Sequence, residues 1–448
     1  MRFGTDGLRG VAGAELTPEL ALALGRAAAR VLGADRWFVG RDPRRSGALL
    51  SAAFSAGLAA EGADVADLGV LCTPGVAFWA DAEGAPAAVV SASHNPFPDN
   101  GIKLFAAGGR KLSDDTERRI EAELHAGGPV SLRSGADLGT VTRLEGGGER
   151  YGDHLVKTLE GRDLTGLRVV LDTANGSGVS TAPDVLRRLG CELPAVLGAE
   201  PDGLNINDGC GSTHLGPLAE AVLATGADVG IALDGDADRC LAVDHLGEEV
   251  DGDQMLAMLA LDLRDRRRLD RDTLVVTVMS NLGLHQAMAE AGVRLETTAV
   301  GDRYVLDRME EGGYVLGGEQ SGHVILRHLA TTGDGLLTAM HLLDVVRRSG
   351  RPLADLAGVV RRLPQILVNV RVAGAAKEAL AASDEVRAAV EDVEAELAGT
   401  GRVLLRPSGT EDGGQLAPEA AQHIRRGGDP GPVGRVEHHA QAGEVAAL

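Results

Sequence analysis

Aromatic residues are scarce in this chain: Phe, Trp and Tyr together make 2% of its 448 residues. Its cores must therefore be built from Ala, Val and Leu, within a hydrophobic content of 44%. Positive charge is also in short supply. Lys and Arg number 44 against 65 Asp and Glu, a formal net charge of −21, which argues against nucleic acid or an anionic membrane as a general partner. An anionic ligand would need a local basic pocket or a metal ion. The four cysteines (Cys72, Cys191, Cys210, Cys240) are scattered and form no Cys-x-x-Cys pair, so neither a zinc site nor a disulfide framework is signalled. No apolar run approaches about 18 residues and the N-terminus lacks an apolar signal core, so a soluble cytoplasmic protein is expected.

What is present is glycine, 62 residues of it, which implies many tight turns and close backbone approaches. The length suggests about three or four domains. Strand and helix patterns alternate. Thr17 to Leu32 reads as a helix capped by Thr17, Trp37 to Gly40 as a strand, Ala48 to Glu61 as a helix and Ala85 to Val90 as a buried strand. The pattern restarts at Leu167–Leu171 and at Thr273–Met279, giving α/β units with largely parallel strands. The expected units are 1–154, 155–251, 252–365 and 366–448.

Several segments carry chemistry. Ser91-Ala92-Ser93-His94-Asn95-Pro96 places a hydroxyl where a strand ends in a turn. Ser93 there either caps the turn or acts as a nucleophile. His94 reads as structural, because adjacent side chains of an extended segment point to opposite faces. Asp234-Gly235-Asp236-Ala237-Asp238-Arg239 follows an apolar strand, and its alternating carboxylates form either a solvated turn or a site for a hard cation such as Mg²⁺. An EF-hand fits poorly, since its sixth loop position is Arg239 and its twelfth is His245. Gly317–His323 offers Glu319, Ser321 and His323 as the mixed donors and acceptors that a polyol needs, or as a polar turn that satisfies itself. Arg406-Pro407-Ser408-Gly409-Thr410-Glu411, after a strand expected at Arg402–Leu405, is either a phosphate nest or an ordinary loop. The loops Phe3–Gly10 and Gly40–Gly47 place arginines among glycines, to face a phosphate or the solvent.

Taken in order, these motifs resemble the α-D-phosphohexomutases. Gly318–His323, Val300-Gly301-Asp302-Arg303-Tyr304 and Cys210-Gly211-Ser212-Thr213-His214 are similar to the glucosamine branch of that family. The resemblance implies four domains around a cleft, three related α/β units and a smaller C-terminal phosphate-binding domain. It implies that Ser93 is the phosphorylated serine and that Asp234, Asp236 and Asp238 hold Mg²⁺ with it. Arg9 and Lys103 then lie near the transferred phosphate, with Lys103 a candidate for proton transfer. Glu319, Ser321, His323 and Arg239 meet the sugar, and Arg406, Ser408, Gly409 and Thr410 hold its other phosphate. The implied reaction interconverts glucosamine 6-phosphate and glucosamine 1-phosphate through a hexose 1,6-bisphosphate, toward UDP-N-acetylglucosamine, in a cytoplasmic protein; the sequence leaves the oligomeric state open, with a homodimer one option. A glucose or mannose phosphate is the alternative substrate.

The end departs from the family. After Glu411 the residues are Asp412-Gly413-Gly414-Gln415, then turn-rich sequence through Gly427–Pro432, with no run of Val, Ile, Leu or aromatics. The fourth domain is accordingly expected to be incomplete after 411 and to lack a strand. A change of reading frame would account for the switch, with a functional tail, including metal capture by His423, His438 and His439, as the other explanation, and an inactive phosphosugar-binding relative is the functional alternative it raises.

Overall fold

Thr17 caps the first helix, Pro18–Leu32, accepting the Leu20 N–H at its hydroxyl, and the left-handed Gly33 ends it. From there the chain builds three sheets. In this computed structural model the described residues are 3–4, 7–126, 133–369, 383–397, 401–404 and 419–424.

The first sheet joins β1 (Leu8–Val11), β2 (Arg36–Arg41), β3 (Asp64–Val70), β4 (Ala87–Val90), β5 (Asp99–Phe105) and β6 (Val141–Arg143) in the order β1-β5-β4-β2-β3-β6. The second joins β7 (Arg168–Asp172), β8 (Glu192–Leu197), β9 (Val229–Leu233), β10 (Cys240–Asp244) and β11 (Glu249–Val250) as β11-β10-β9-β7-β8. The third joins β12 (Thr273–Thr277), β13 (Arg294–Thr298), β14 (Leu316–Gly318) and β15 (Val324–Leu326) as β13-β12-β14-β15.

Each sheet has a parallel centre flanked by an antiparallel hairpin, β4 with β5, β9 with β10, and β14 with β15, and the second sheet adds another, β10 with β11. The strands are thus parallel only in part. Strands β4, β9 and β12 are buried along their whole length, as parallel strands covered on both faces must be. A continuous aliphatic cluster links the units, running from Leu71 and Val89 through Leu155 and Leu233 to Leu256, Leu274 and Leu342. Aromatics enter it sparingly, with Phe38 and Trp79 5.3 Å apart between ring centroids.

Beyond the third sheet, β16 (Gln365–Asn369) pairs antiparallel with β17 (Glu419–Ile424), and a helix spans Asp384–Leu397. The absence of a strand after 411 is therefore corrected: Glu-Ala-Ala-Gln-His-Ile forms one without an apolar alternation, because backbone pairing to β16 suffices, with a shift of register between Ile366 and Val368. The strand expected at Arg402–Leu405 is also corrected, since residues 401–404 carry no regular structure. Among the described residues no helix is long and apolar enough to cross a membrane.

Candidate active site

Three antiparallel hairpins, one in each sheet, carry the three motifs. Ser93 lies between β4 and β5, Asp234–Arg239 between β9 and β10, and Glu319–His323 between β14 and β15. Equivalent connections in three sheets therefore converge on one place.

Ser93 is buried and left-handed, with φ 52°. Such a backbone strains a non-glycine residue and persists only where its surroundings fix it. Here they do. The Arg44 guanidinium donates to the Ser93 carbonyl at 2.9 Å and to the Asn95 carbonyl at 2.8 Å. Asn207 donates to the same two carbonyls at 2.9 and 3.1 Å. Arg44 is in turn held by Asp42 at 2.9 Å, in a pair with no exposed side-chain surface, and Asp42 accepts the Ser91 hydroxyl at 2.6 Å. One arginine of the Gly40–Gly47 loop is thus a brace for the serine turn, facing neither a phosphate nor the solvent.

The Ser93 hydroxyl donates to Asp234 Oδ2 at 2.6 Å. Gly235 lets the two loops meet, for a Cβ there would fall 2.6 Å from the Ser93 carbonyl oxygen. Asp236 Oδ2 accepts from Thr73 Oγ1 at 2.5 Å and from Lys103 Nζ at 2.8 Å, and Asp238 Oδ2 lies 3.5 Å from the same ammonium. Asp236 Oδ1 and Asp238 Oδ1 are buried without a hydrogen-bond partner. Ligand oxygens of Asp234, Asp236 and Asp238 lie within 4.8 Å of one another. An all-oxygen set with two orphaned carboxylate atoms fits a hard divalent cation, so this buried triad can chelate one. Burial, and then the neighbouring Asp238 and Asp236, push the Asp234 carboxyl well up. Against its burial, Lys103, His323 and Arg239 hold the Asp238 carboxyl below its usual range.

Lys103 and Arg9 share a face of the first sheet, because Arg9 stands opposite Gly101, two residues before Lys103 on β5. The alternation argument for His94 is corrected. The left-handed turn at Ser93 breaks the alternation, and the His94 Nδ1 atom lies 3.4 Å from the Ser93 hydroxyl. Burial, then the charges of Arg239 and Arg9, lower the His94 imidazole to about 4, so it is neutral at pH 7.

The third loop docks on the second sheet. Gly322, with φ 91°, accepts the Cys240 N–H at 3.1 Å, and a Cβ at Gly322 would fall 2.1 Å from the Cys240 carbonyl oxygen. Glu319 Oε1 accepts the Gly301 N–H at 3.1 Å. His323 is buried, with Nδ1 3.8 Å from Asp238 and Nε2 3.6 Å from Asp302. Arg239 is half-buried, with Nε 3.8 Å from Asp238, and Ser321 is exposed. Arg406, Ser408, Gly409 and Thr410 lie outside the described residues. Sequence reading gave no role to Ser91, though it lies in the serine motif, and missed Asp42, Asn207 and Thr73 as parts of the site; of these last three, only Asp42 carried a signal, through the arginines of its loop Gly40–Gly47.

Known families now bear on this geometry. The chain matches the family models described as Phosphoglucomutase/phosphomannomutase, alpha/beta/alpha domain I over residues 1–129, domain II over 149–247, domain III over 251–363, and C-terminal domain over 367–413. It is 56% identical to the phosphoglucosamine mutase of Streptomyces avermitilis, an alignment covering 94% of each chain. The chain belongs to the phosphoglucosamine mutase family. The relative from Nocardia farcinica, also a phosphoglucosamine mutase, is 52% identical over 94% of this chain and 96% of its own. A crystal structure of a phosphoglucomutase/phosphomannomutase family protein from Burkholderia thailandensis superposes with a TM-score of 0.75 at 25% identity, covering 95% of this chain and 93% of that one. For a member of this family the end is unusual. The C-terminal match stops at 413, next to Glu411, where the residues turn away from the family pattern.

Proposed function

We propose that the protein interconverts glucosamine 6-phosphate and glucosamine 1-phosphate, as an intramolecular phosphotransferase working through phosphorylated Ser93 and a 1,6-bisphosphate intermediate. The contact that carries this reading is the 2.6 Å bond from the Ser93 hydroxyl to Asp234, beside carboxylate oxygens that lack partners. Phosphoryl transfer depends more on positioning and charge neutralisation than on new covalent chemistry.

In the forward half, the bond between Ser93 Oγ and phosphorus breaks and one from phosphorus to a sugar hydroxyl oxygen forms. The hydroxyl proton passes to a basic group, for which Lys103 is the candidate, entering this half as a neutral amine and carrying its positive charge once it has accepted the proton. The sugar then reorients, and its other phosphate returns to Ser93. Asp234, Asp236, Asp238 and the phosphoserine would hold Mg²⁺, which when bound supplies positive charge to the phosphoryl oxygens. Asp234 holds the Ser93 hydroxyl in line, and Lys103 and Arg9 add positive charge from one face of the first sheet. Glu319, Ser321, His323 and Arg239 are assigned to the sugar. Arg406, Ser408, Gly409 and Thr410 are assigned to the phosphate that does not react. The domain limits that go with this reading are 1–154, 155–251, 252–365 and 366–448. The setting is cytoplasmic, without nucleic-acid or membrane partners, and the assembly is a homodimer that light scattering would check.

Turnover of glucosamine, glucose and mannose phosphates side by side, with Mg²⁺ and a hexose 1,6-bisphosphate primer, tests the substrate. The glucosamine phosphates are expected to turn over fastest, and a clear preference for glucose or mannose phosphate overturns the assignment. One observation favours a second reading, a phosphosugar-binding relative without turnover: the family match ends at 413. It requires glucosamine 6-phosphate to bind without product, and activity to return when a family-like terminus is grafted on.

A further inference from the structure

Strained backbone gathers in one part of the molecule. Ser93 at φ 52°, Ala174 at 56°, Asn175 at 48°, Asn207 at 59° and Ala237 at 56° are all left-handed without being glycine, and all belong to the serine turn, the Asp234–Arg239 loop or the segments behind them. Such strain persists only where the surroundings fix it. Asn207 joins these parts. It is buried, and its N–H donates to the Ala174 carbonyl at 2.9 Å. Its side-chain amide donates to the Ser93 carbonyl at 2.9 Å and to the Asn95 carbonyl at 3.1 Å. Carbonyl oxygens only accept, so the amide nitrogen is the end that faces them.

The segment behind Asn207 also holds the Asp234 loop. Asp172 Oδ1 accepts the Ala174 N–H and Oδ2 the Gly211 N–H, each at 2.8 Å. The Ser177 N–H donates to the Gly235 carbonyl at 2.8 Å, and a Cβ at Gly176 would fall 2.3 Å from that oxygen. A Cβ at Gly235 would in turn lie 2.9 Å from the Asn207 amide nitrogen. One stretch, Asp172–Ser177, therefore fixes the Asp234 loop directly and the Ser93 turn through Asn207. Arg44 holds the same two carbonyls from within the first unit. Arg44 shapes the turn, whereas Asn207 ties it to the second unit, to which Asp234 belongs.

We propose that Asn207 is a positioning residue: it sets the spacing between the Ser93 hydroxyl and the carboxylates of the Asp234 loop, and so the rate of phosphoryl transfer to and from Ser93. The inference rests on Ser93 as the phosphorylated residue. Misplacing a reacting group by about 1 Å slows a step on the order of a hundredfold. Both carbonyls keep Arg44 when the amide is removed, so the fold is left without an unsatisfied acceptor there. An asparagine that only stabilised the fold would not act on the transfer step.

The test compares the full-length protein with Asn207→Gly, which removes the amide and tolerates the left-handed backbone, and Asn207→Asp, which keeps the shape but turns an acceptor on the two carbonyls. With glucosamine 6-phosphate, Mg²⁺ and a hexose 1,6-bisphosphate primer, kcat is expected to fall about a hundredfold in Asn207→Gly and further in Asn207→Asp. Charging of Ser93 by labelled hexose 1,6-bisphosphate slows by the same factor. The dissociation constant of glucosamine 6-phosphate, measured by calorimetry without Mg²⁺, stays within about threefold, and the unfolding midpoint of Asn207→Gly moves by less than about 5 °C. Amide hydrogen exchange at Ser91–Asn95 becomes faster in both variants. An unchanged kcat, unchanged exchange, or a fall in turnover matched by the unfolded fraction each overturns the proposal. Should the parent show neither charging nor turnover, the mutase reading fails, and the exchange comparison alone decides the tie.

Discussion

The three-sheet body and the C-terminal unit are built on different terms. In the body, each chemical loop closes an antiparallel hairpin, and each is tied to a neighbouring unit: Ser93 to Asp234, Asp236 to Lys103, Cys240 to Gly322. A shared aliphatic cluster backs all three sheets. Among the described residues, the C-terminal unit instead reaches the third sheet through Arg402, which donates to the Val278 carbonyl in the turn after β12. Under the proposed assignment of the non-reacting phosphate to the C-terminal unit, phosphoryl chemistry and the grip on that phosphate rest on separable parts. A disturbed end can then weaken the second without touching the first.

The predictions strain this contrast from the strongest effect down. Ser93→Ala is expected to bring mutase turnover to the detection limit while leaving the thermal unfolding of the body in place, since a small hydroxyl is all that is removed; retained turnover breaks the account. Asp236→Asn, or removal of divalent cations by a chelator, is expected to lower turnover on the order of 10³-fold, with added Mg²⁺ restoring activity only after chelation. Arg44→Met leaves Asp42 buried and unpaired, so unfolding stability is expected to fall by about 3–5 kcal/mol, with loss of Ser93 phosphorylation though Arg44 lies outside the transfer machinery. An unchanged denaturation midpoint would remove Arg44 as the brace.

A smaller effect concerns the turn after β12, where Asp253 accepts the Asn281 N–H. Burial lifts Asp253 from its ordinary 3.8 to about 7. The native state then holds this proton longer than the unfolded chain, so stability declines as pH rises from about 4 to 7. Asp253→Asn keeps an acceptor for Asn281 and is expected to flatten that decline, by at most about 4 kcal/mol for a lift of this size. Parallel melting curves for the variant and its parent across this range would contradict it.

How far this was legible in sequence follows the same division. Ser93, Asp234, Asp236 and Asp238 announced themselves because each lies in a compact motif behind an apolar strand. The first helix was legible through Thr17-Pro18, whose capping chemistry is local. The braces were not. Nothing within the segments of Asp42, Arg44, Thr73 or Asn207 says that β2 lies beside β4 or that the second sheet abuts the first, and their roles appear only with that adjacency. The placing of His94 on the face opposite Ser93 failed because the period-two rule assumes an extended backbone, and Ser93 leaves it. The strand Glu419–Ile424 escaped notice because its pairing comes from β16 and not from its own side chains.

The most direct test of the central claim is a phosphoryl-transfer measurement at Ser93 itself. The protein would be charged with a labelled hexose 1,6-bisphosphate in Mg²⁺, mapped by peptide, and then chased with glucosamine 6-phosphate. The account predicts label on the peptide containing Ser93, none in Ser93→Ala, and its passage to the amino sugar during the chase. Label on another residue, or label on Ser93 that the amino sugar never removes, would contradict it.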